Sequence, residues 1–261
     1  MSCSKPLAID LFCGLGGWTE GLLKEGYDVI GFDIERHEYD GEKYPAQLVL
    51  QDVLTIHGSQ FKDAALIVAS PPCQEYSYMA MPWSRAKEIE RQYLSGERDR
   101  AKLTALFDAC FRIQREAIAA AGRHIPLVVE NVKGAQKWVG RSRWNFGSYH
   151  LWGDVPALMP MTARAPTKSN GLDWGRFSKT GIVSKHWALH AAASKNDPGS
   201  GETGIKLGGT WFHDYAQGQG PRNHNSKSNK RKAASARIAK IPFVLSQHIA
   251  RTYYPIEECC A

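Results

Sequence analysis

The side chains best suited to chemistry lie in three short strings. In Ser70-Pro71-Pro72-Cys73-Gln74 a cysteine follows an apolar run, on a loop whose φ angles two prolines restrain. Its sulfur is expected at the rim of a sheet. A thiol displayed there can act as a nucleophile, although a lone cysteine after a strand is ordinarily inert. In Glu130-Asn131-Val132 a carboxyl group closes another apolar run and is expected at the same rim. In Asp10-Leu11-Phe12-Cys13-Gly14-Leu15-Gly16-Gly17 an acid-bearing strand runs into a glycine-rich turn, where a ligand can approach the backbone closely.

The spacing of that turn narrows the ligand. Gly14-Leu15-Gly16-Gly17 is not the GxGxxG of dinucleotide enzymes, because Thr19 stands where the third glycine would be. Taken alone, the turn is equally a tight strand-to-helix connection. Two more acids change the balance: Asp33, able to accept both ribose hydroxyls, and Asp52, able to take the amino group of an adenine. Together they point to an adenosine cofactor, S-adenosylmethionine more than NAD.

Groups this far apart in sequence need a scaffold that gathers them. Five apolar runs, at 7–12, 28–33, 47–52, 65–70 and 126–131, alternate with helical or polar stretches. This is the pattern of a parallel sheet with helices on its faces. Such sheets bind ligands beyond the carboxyl ends of their strands, where Asp10, Asp33, Asp52 and Glu130 fall. Between the last two runs, Leu103, Phe107, Cys110, Ala117 and Ala121 recur at helical spacing, predicting a packing helix with Cys110 in the core. Helical periodicity returns at Phe243, Val244, Leu245, His248 and Ile249. The expected class is α/β: a Rossmann-like catalytic domain over 1–153, a small irregular lobe over 154–237, and a C-terminal helix over 238–258 returning to the sheet.

The composition fits a globular chain. Of 261 residues, 43% are hydrophobic and 23% charged, outside the range of disordered or fibrous sequences. No apolar stretch approaches the roughly 18 to 20 residues of a membrane span, so a cytoplasmic, monomeric protein is expected. The six cysteines form no CxxC pair and the histidines no ligand spacing, so no metal is expected. Lys and Arg outnumber Asp and Glu by 33 to 26. The excess is localised: Arg222, Lys227, Lys230, Arg231, Lys232, Arg237 and Lys240 occupy a stretch without one acid. A phosphate backbone is the natural partner of such a run, and a solvated loop is the alternative.

With the Pro-Pro-Cys-Gln string, the Asp-Leu-Phe-x-Gly-x-Gly-Gly turn before it and Glu-Asn-Val after it, in that order, the chain resembles the C5-cytosine-specific DNA methyltransferases. Its small size and Trp152-Gly153-Asp154-Val155-Pro156 look like compact members carried by phages and prophages. The resemblance implies a methyltransferase sheet that binds S-adenosylmethionine, a small target-recognition lobe, and double-stranded DNA as partner. Residue by residue, it implies Asp10, Phe12, Gly14, Leu15, Gly16, Gly17 and Pro71 around the cofactor. Asp33 with Ile34 would hold ribose and adenine, and Asp52 with Val53 the adenine edge. Cys73 matches the nucleophile, Glu130 the acid of the ENV motif, and Gln74 lies beside the base. Arg141 and Arg143 match the arginines of the QxRxR motif, with Val139 at the glutamine position. Where the family carries a Gly-Asn-x-Val motif near the methionine part of the cofactor, this chain has Ala239-Lys240-Ile241-Pro242. The charge of Lys240 there would favour a donor bearing an extra carboxylate, a carboxymethyl transferase. The same strings suit an RNA cytosine methyltransferase, and an idle DNA-binding relative would keep the fold without turnover.

Overall fold

The computed structural model describes residues 4–73, 76, 83–156, 232–233, 236–237 and 239–255. The first apolar run forms β1 (Leu7–Leu11), and the glycine turn leads into α1 (Gly17–Lys24) and then β2 (Asp28–Asp33). A short hairpin, β3 (Glu38–Tyr39) and β4 (Glu42–Lys43), precedes β5 (Gln47–Leu50) and β6 (Ala64–Ala69). Next come α2 (Trp83–Leu94), α3 (Arg100–Ala121), β7 (Leu127–Asn131) and α4 (Gln136–Val139). The edge strands β8 (Trp144–Phe146) and β9 (Tyr149–Gly153) follow, and α5 (Phe243–Thr252) ends the described chain.

Seven strands form one sheet in the order β5-β2-β1-β6-β7-β9-β8. Strand order reverses between β1 and β6, the crevice where open α/β sheets bind ligands. The register levels four strand ends there, with Leu11 beside Phe32 and Ala69, and Ala69 beside Val129. Successive side chains point to opposite faces. Ile9, Leu11, Ile67, Ala69, Leu127 and Val129 pack with Phe107, Cys110 and Ile113 of α3. Ala8, Leu66, Val68 and Val128 pack with Trp18 and Leu22 of α1 and with Leu245 and Ile249 of α5.

The two helices on that second face lie unusually close. A Cβ on Gly21 would come within 2.3 Å of Ser246 Oγ, so only glycine permits the approach. The Tyr27 hydroxyl donates to the Ala250 carbonyl at 3.0 Å. On the other face α3 starts at Asp99, whose side chain accepts from Ala101 N at 2.9 Å, and stops at Gly122 with φ of 66°. Cys110 is fully buried there, a core residue as its spacing predicts.

Several boundaries differ from the sequence reading, each for a local reason. β1 stops at Leu11 because Phe12 turns to a φ of 59°. β5 stops at Leu50 because Asp52 caps a 3₁₀ turn, accepting from Leu54 N at 2.9 Å. The sheet is not wholly parallel: β9 runs antiparallel to both neighbours. Asp154, where composition places the start of the lobe, is still fastened to β7. Its carboxylate accepts from Leu127 N at 2.9 Å and from Gln114 Nε2 at 2.7 Å.

Candidate active site

The glycine turn is tight because its own backbone closes it: Gly16 N donates to Cys13 O at 2.7 Å, and Gly14 N to the Asp33 carboxylate at 2.9 Å. Its glycines serve different needs. Gly14, at φ of +51°, faces open space, as a cradle for a ligand requires. At Gly16 a Cβ would come within 2.5 Å of Pro45, and at Gly17 within 2.3 Å of the Ile241 nitrogen. At those two, packing against the chain itself already requires glycine. Leu15 is buried behind the turn and Phe12 half-buried beside it.

Two acids at or next to the ends of neighbouring strands stand here in contrasting states. Asp33 accepts from Gly14 N, from Ile34 N at 2.8 Å and from Glu35 N at 3.4 Å, with His37 Nε2 at 3.5 Å. Burial works to raise its pKa, but the bonds from His37 and the backbone outweigh that and hold it below the ordinary value. Asp10 is fully buried, accepts from Thr19 Oγ1 at 2.7 Å on Oδ2, and has no hydrogen-bond partner on Oδ1. Burial pushes its pKa up to about 7, against the lowering effect of Thr19 and with a further rise from the charge of Asp33. An orphaned buried carboxylate oxygen and an open glycine cradle fit a ligand with a cationic or hydroxyl-bearing group. Ile34, 73% exposed beside Asp33, offers an apolar surface at the same rim, with Leu50 and Leu54 also exposed. Val53 points into the core, so only its backbone can meet an adenine edge.

On the other side of the reversal, Cys73 is half-buried, in contrast to Cys13 and Cys110, which are buried. Its loop is anchored from both neighbours: Ser70 N donates to Leu11 O at 3.1 Å, and Asn131 Nδ2 donates to Pro71 O at 3.0 Å. Tyr76 N donates to Cys73 O at 3.0 Å, and the Tyr76 hydroxyl to Leu103 O at 2.7 Å. Glu130 is buried one residue before Asn131, on the strand that tethers this loop. The structure thus brings the ends of β6 and β7 together with the acids of β1 and β2 along one edge of the sheet.

Arg141 and Arg143 are exposed on the approach to β8, with Arg143 N donating to Leu151 O at 2.8 Å. Ser142 between them is held by Gln136, whose Oε1 accepts from Ser142 N at 3.1 Å and from its hydroxyl at 3.2 Å. His150 Nδ1 lies 3.0 Å from the same hydroxyl. A glutamine therefore supports this segment from a position that motif spacing does not mark. Thr19, which donates to Asp10, and Tyr44, whose hydroxyl lies 2.7 Å from Thr19 Oγ1, were also missed, because neither lies in the strings that stood out in the sequence.

The basic run divides. Arg222, Lys227, Lys230 and Arg231 lie outside the described residues, as does Gln74 next to Cys73. Lys232 is exposed. Arg237 was expected to meet phosphate, but its guanidinium is 2.9 Å from Asp40 and 3.4 Å from Glu42, so the hairpin acids already neutralise it. Lys240 lies beside the first turn of α1, next to Ile241 over Gly17, and its ammonium is 2.6 Å from Glu20. The bare positive charge expected there is thereby cancelled. Among the described residues no group of three or more His, Cys, Asp or Glu side chains could hold a metal ion, and no helix is long and apolar enough to cross a membrane.

Among solved structures, one described as a DNA modification methyltransferase encoded within an E. coli prophage matches at 20% identity and a TM-score of 0.31. The match covers 52% of this chain and 35% of that one, so it spans about a third of that protein. The Entamoeba histolytica methyltransferase EhMeth matches at 12% identity and a TM-score of 0.47, over 97% of this chain and 98% of that one. The S. pombe Dnmt2 methyltransferase matches at 12% identity and a TM-score of 0.43, over 95% and 98%. No sequence among curated proteins matches. The sequence profile of C-5 cytosine-specific DNA methylases matches residues 7–137, from β1 through the Glu130 strand and into α4, and the chain belongs to that family.

Proposed function

We propose that the protein transfers a methyl group from S-adenosylmethionine to carbon 5 of a cytosine in double-stranded DNA, through a temporary bond from Cys73 to carbon 6. The observation that carries this reading is the half-buried Cys73 on a loop that Asn131 ties to the strand bearing Glu130. Carbon 5 of cytosine is too weak a nucleophile to take a methyl group unaided. Addition of the Cys73 thiolate to carbon 6 pushes electron density toward N3 and makes carbon 5 enamine-like. Glu130 protonates N3 and so stabilises the adduct. When bound, S-adenosylmethionine supplies an electrophilic methyl group. Loss of the carbon 5 proton to water then expels the Cys73 thiolate, and Glu130 recovers its proton.

The donor is held on the β1 and β2 side. Asp10 offers its unpartnered oxygen to a cationic group, Asp33 faces the ribose, and Ile34 covers the adenine. The target base must leave its stack at a cost of about a few kcal/mol. The basic residues 222–232 of the recognition lobe supply backbone contacts that offset it. Arg141 and Arg143 are assigned to the flipped nucleotide. The Lys240–Glu20 pair carries no net charge, which favours the ordinary cationic donor over one with an added carboxylate. The protein is taken to act as a cytoplasmic monomer.

Labelled-methyl transfer to duplex DNA, compared with transfer RNA, tests the substrate. Label in duplex DNA, together with a stable adduct on duplex containing 5-fluorocytosine, is expected. Label in transfer RNA alone would assign the same chemistry to RNA. An active donor site with no label in either polymer would leave a nucleic-acid-binding relative on this fold.

A further inference from the structure

We propose that Tyr44, which lies outside the strings that carry the resemblance, is a positioning residue of the donor site: through Thr19 it orients Asp10 so that Asp10 Oδ1 faces the cationic group of the donor. The inference rests on the assignment of Asp10 to that site. Its basis is a directed chain of two short hydrogen bonds. Thr19 Oγ1 donates to Asp10 Oδ2 at 2.7 Å, and Tyr44 OH lies 2.7 Å from Thr19 Oγ1. A threonine hydroxyl has one proton. With that proton committed to an ionised Asp10, Tyr44 must be the donor in the second bond.

Tyr44 is fixed for this task. It is buried, and its ring fills the space that a side chain at Gly31 would occupy: a Cβ there would come within 2.3 Å of Tyr44 Cζ. Pro45, the next residue, closes on Gly16 of the glycine turn. The segment following the β3–β4 hairpin therefore buttresses the turn from behind and sets the angle of its acid in one contact.

The chain also controls when Asp10 is charged. Hydrogen bonds directed at a carboxylate favour its ionised form, while burial and a nearby negative charge oppose it. Among the described residues, the titratable groups facing Asp10 are Asp33 on β2, Cys13 in the turn and Tyr44 itself; His37 pairs with Asp33 from behind. None of these supplies a positive charge directly to Asp10. The Thr19 hydroxyl, backed by Tyr44, and the Thr19 backbone N–H together counteract its burial, so removing the Tyr44 hydroxyl weakens one of the two and moves Asp10 ionisation to higher pH.

The test is calorimetric binding of S-adenosylhomocysteine, which carries the same amino-acid tail, between pH 6 and 9. Wild-type affinity is expected to fall as the pH drops through about 7. Tyr44→Phe keeps the ring and loses the hydroxyl. It should bind about tenfold more weakly at pH 7, with the fall displaced to higher pH and recovery toward pH 9. Thr19→Val should do the same, and Thr19→Ser should restore the wild-type profile. A Tyr44→Phe profile that overlays the wild type would overturn the proposal. So would a loss of equal size at every pH with a lowered melting temperature, which marks a packing role only. If the wild-type protein itself binds no S-adenosylhomocysteine, the assignment of the donor site fails first, and the two failures are thus distinct.

Discussion

The strand ends on the two sides of the reversal are built to different plans. At β1 and β2 the polar groups are interlocked: Asp33 receives three backbone N–H groups, and Asp10, Thr19 and Tyr44 form a buried chain. At β6 and β7 the Cys73 thiol is half-buried, on a loop held by hydrogen bonds that include those from Ser70 N and Asn131 Nδ2. On the function proposed above, the first side would grip a constant ligand and the second would leave room for a substrate that must swing in. Substitutions on the first side should thus register in binding and stability, and those on the second in the chemical step.

The largest effect expected is on the open side. Cys73→Ala should abolish transfer and trapping on 5-fluorocytosine duplex while leaving the melting temperature and S-adenosylhomocysteine binding unchanged. Glu130→Gln should slow transfer by about 10²- to 10⁴-fold, the range for one general acid. Cys110→Ala is the control: it removes a fully buried core side chain, so stability should fall by about 1 kcal/mol while the adduct still forms. Trapping by Cys73→Ala would break the comparison outright.

The contrast also explains what sequence could and could not convey. Strands β1, β2, β6 and β7 were legible within a residue or two because a buried parallel strand is a continuous apolar run, and Cys110 was legible from helical spacing. The antiparallel β9 was not, since Tyr149-His150-Leu151-Trp152 is mixed and its direction depends on a partner far away in sequence. Cys73 and Glu130 stood out because each sits in a short local string, Pro-Pro-Cys-Gln and Glu-Asn-Val, that can be read without its neighbours in space. Tyr44, Thr19 and Gln136 did not, because their contacts form only when separate segments meet. The ion-pair partners of Arg237 and Lys240 were hidden for the same reason: a basic run does not show the acids, Asp40, Glu42 and Glu20, that fold against it.

On the closed side, Asp10→Asn should weaken donor binding and yet stabilise the protein. The folded-state pKa of Asp10 is raised to about 7. The native state thus holds a proton that the unfolded chain has already released, and stability declines as the pH rises from about 4 to 7. An asparagine does not titrate. Its advantage should be absent near pH 4, grow through that window, and level off above pH 7 at up to a few kcal/mol. Melting curves at pH 4, 6 and 8 check this; a variant that melts lower at pH 8 would mean that the ionised carboxylate is supported in the fold.

A smaller effect is expected where the two sides are stitched together. Asn131→Ala removes the buried donor to Pro71 O and the acceptor for Val132 N. Leaving buried backbone groups unpaired costs about 1 to 3 kcal/mol. Because the same bond fixes the Cys73 loop against the Glu130 strand, kcat should fall while S-adenosylhomocysteine affinity holds. Equal losses in both would show that the sides are not separable.

The smallest effect is expected at Lys240. Its ion pair with Glu20 is partly solvent-exposed, with side-chain exposures of 24% and 38%, so Lys240→Asn should cost no more than about 1 kcal/mol. The pair is neutral as a whole, so removing the lysine leaves Glu20 uncompensated beside the first turn of α1 and should tighten binding of a cationic donor slightly. Mass spectrometry of the product nucleoside, with S-adenosylmethionine and with its carboxylated analogue, decides what the lysine does. Methylcytosine from both the wild type and Lys240→Asn fits the neutral pair. A larger, carboxylate-bearing adduct made by the wild type and lost in the variant would mean that Lys240 leaves Glu20 to meet the donor.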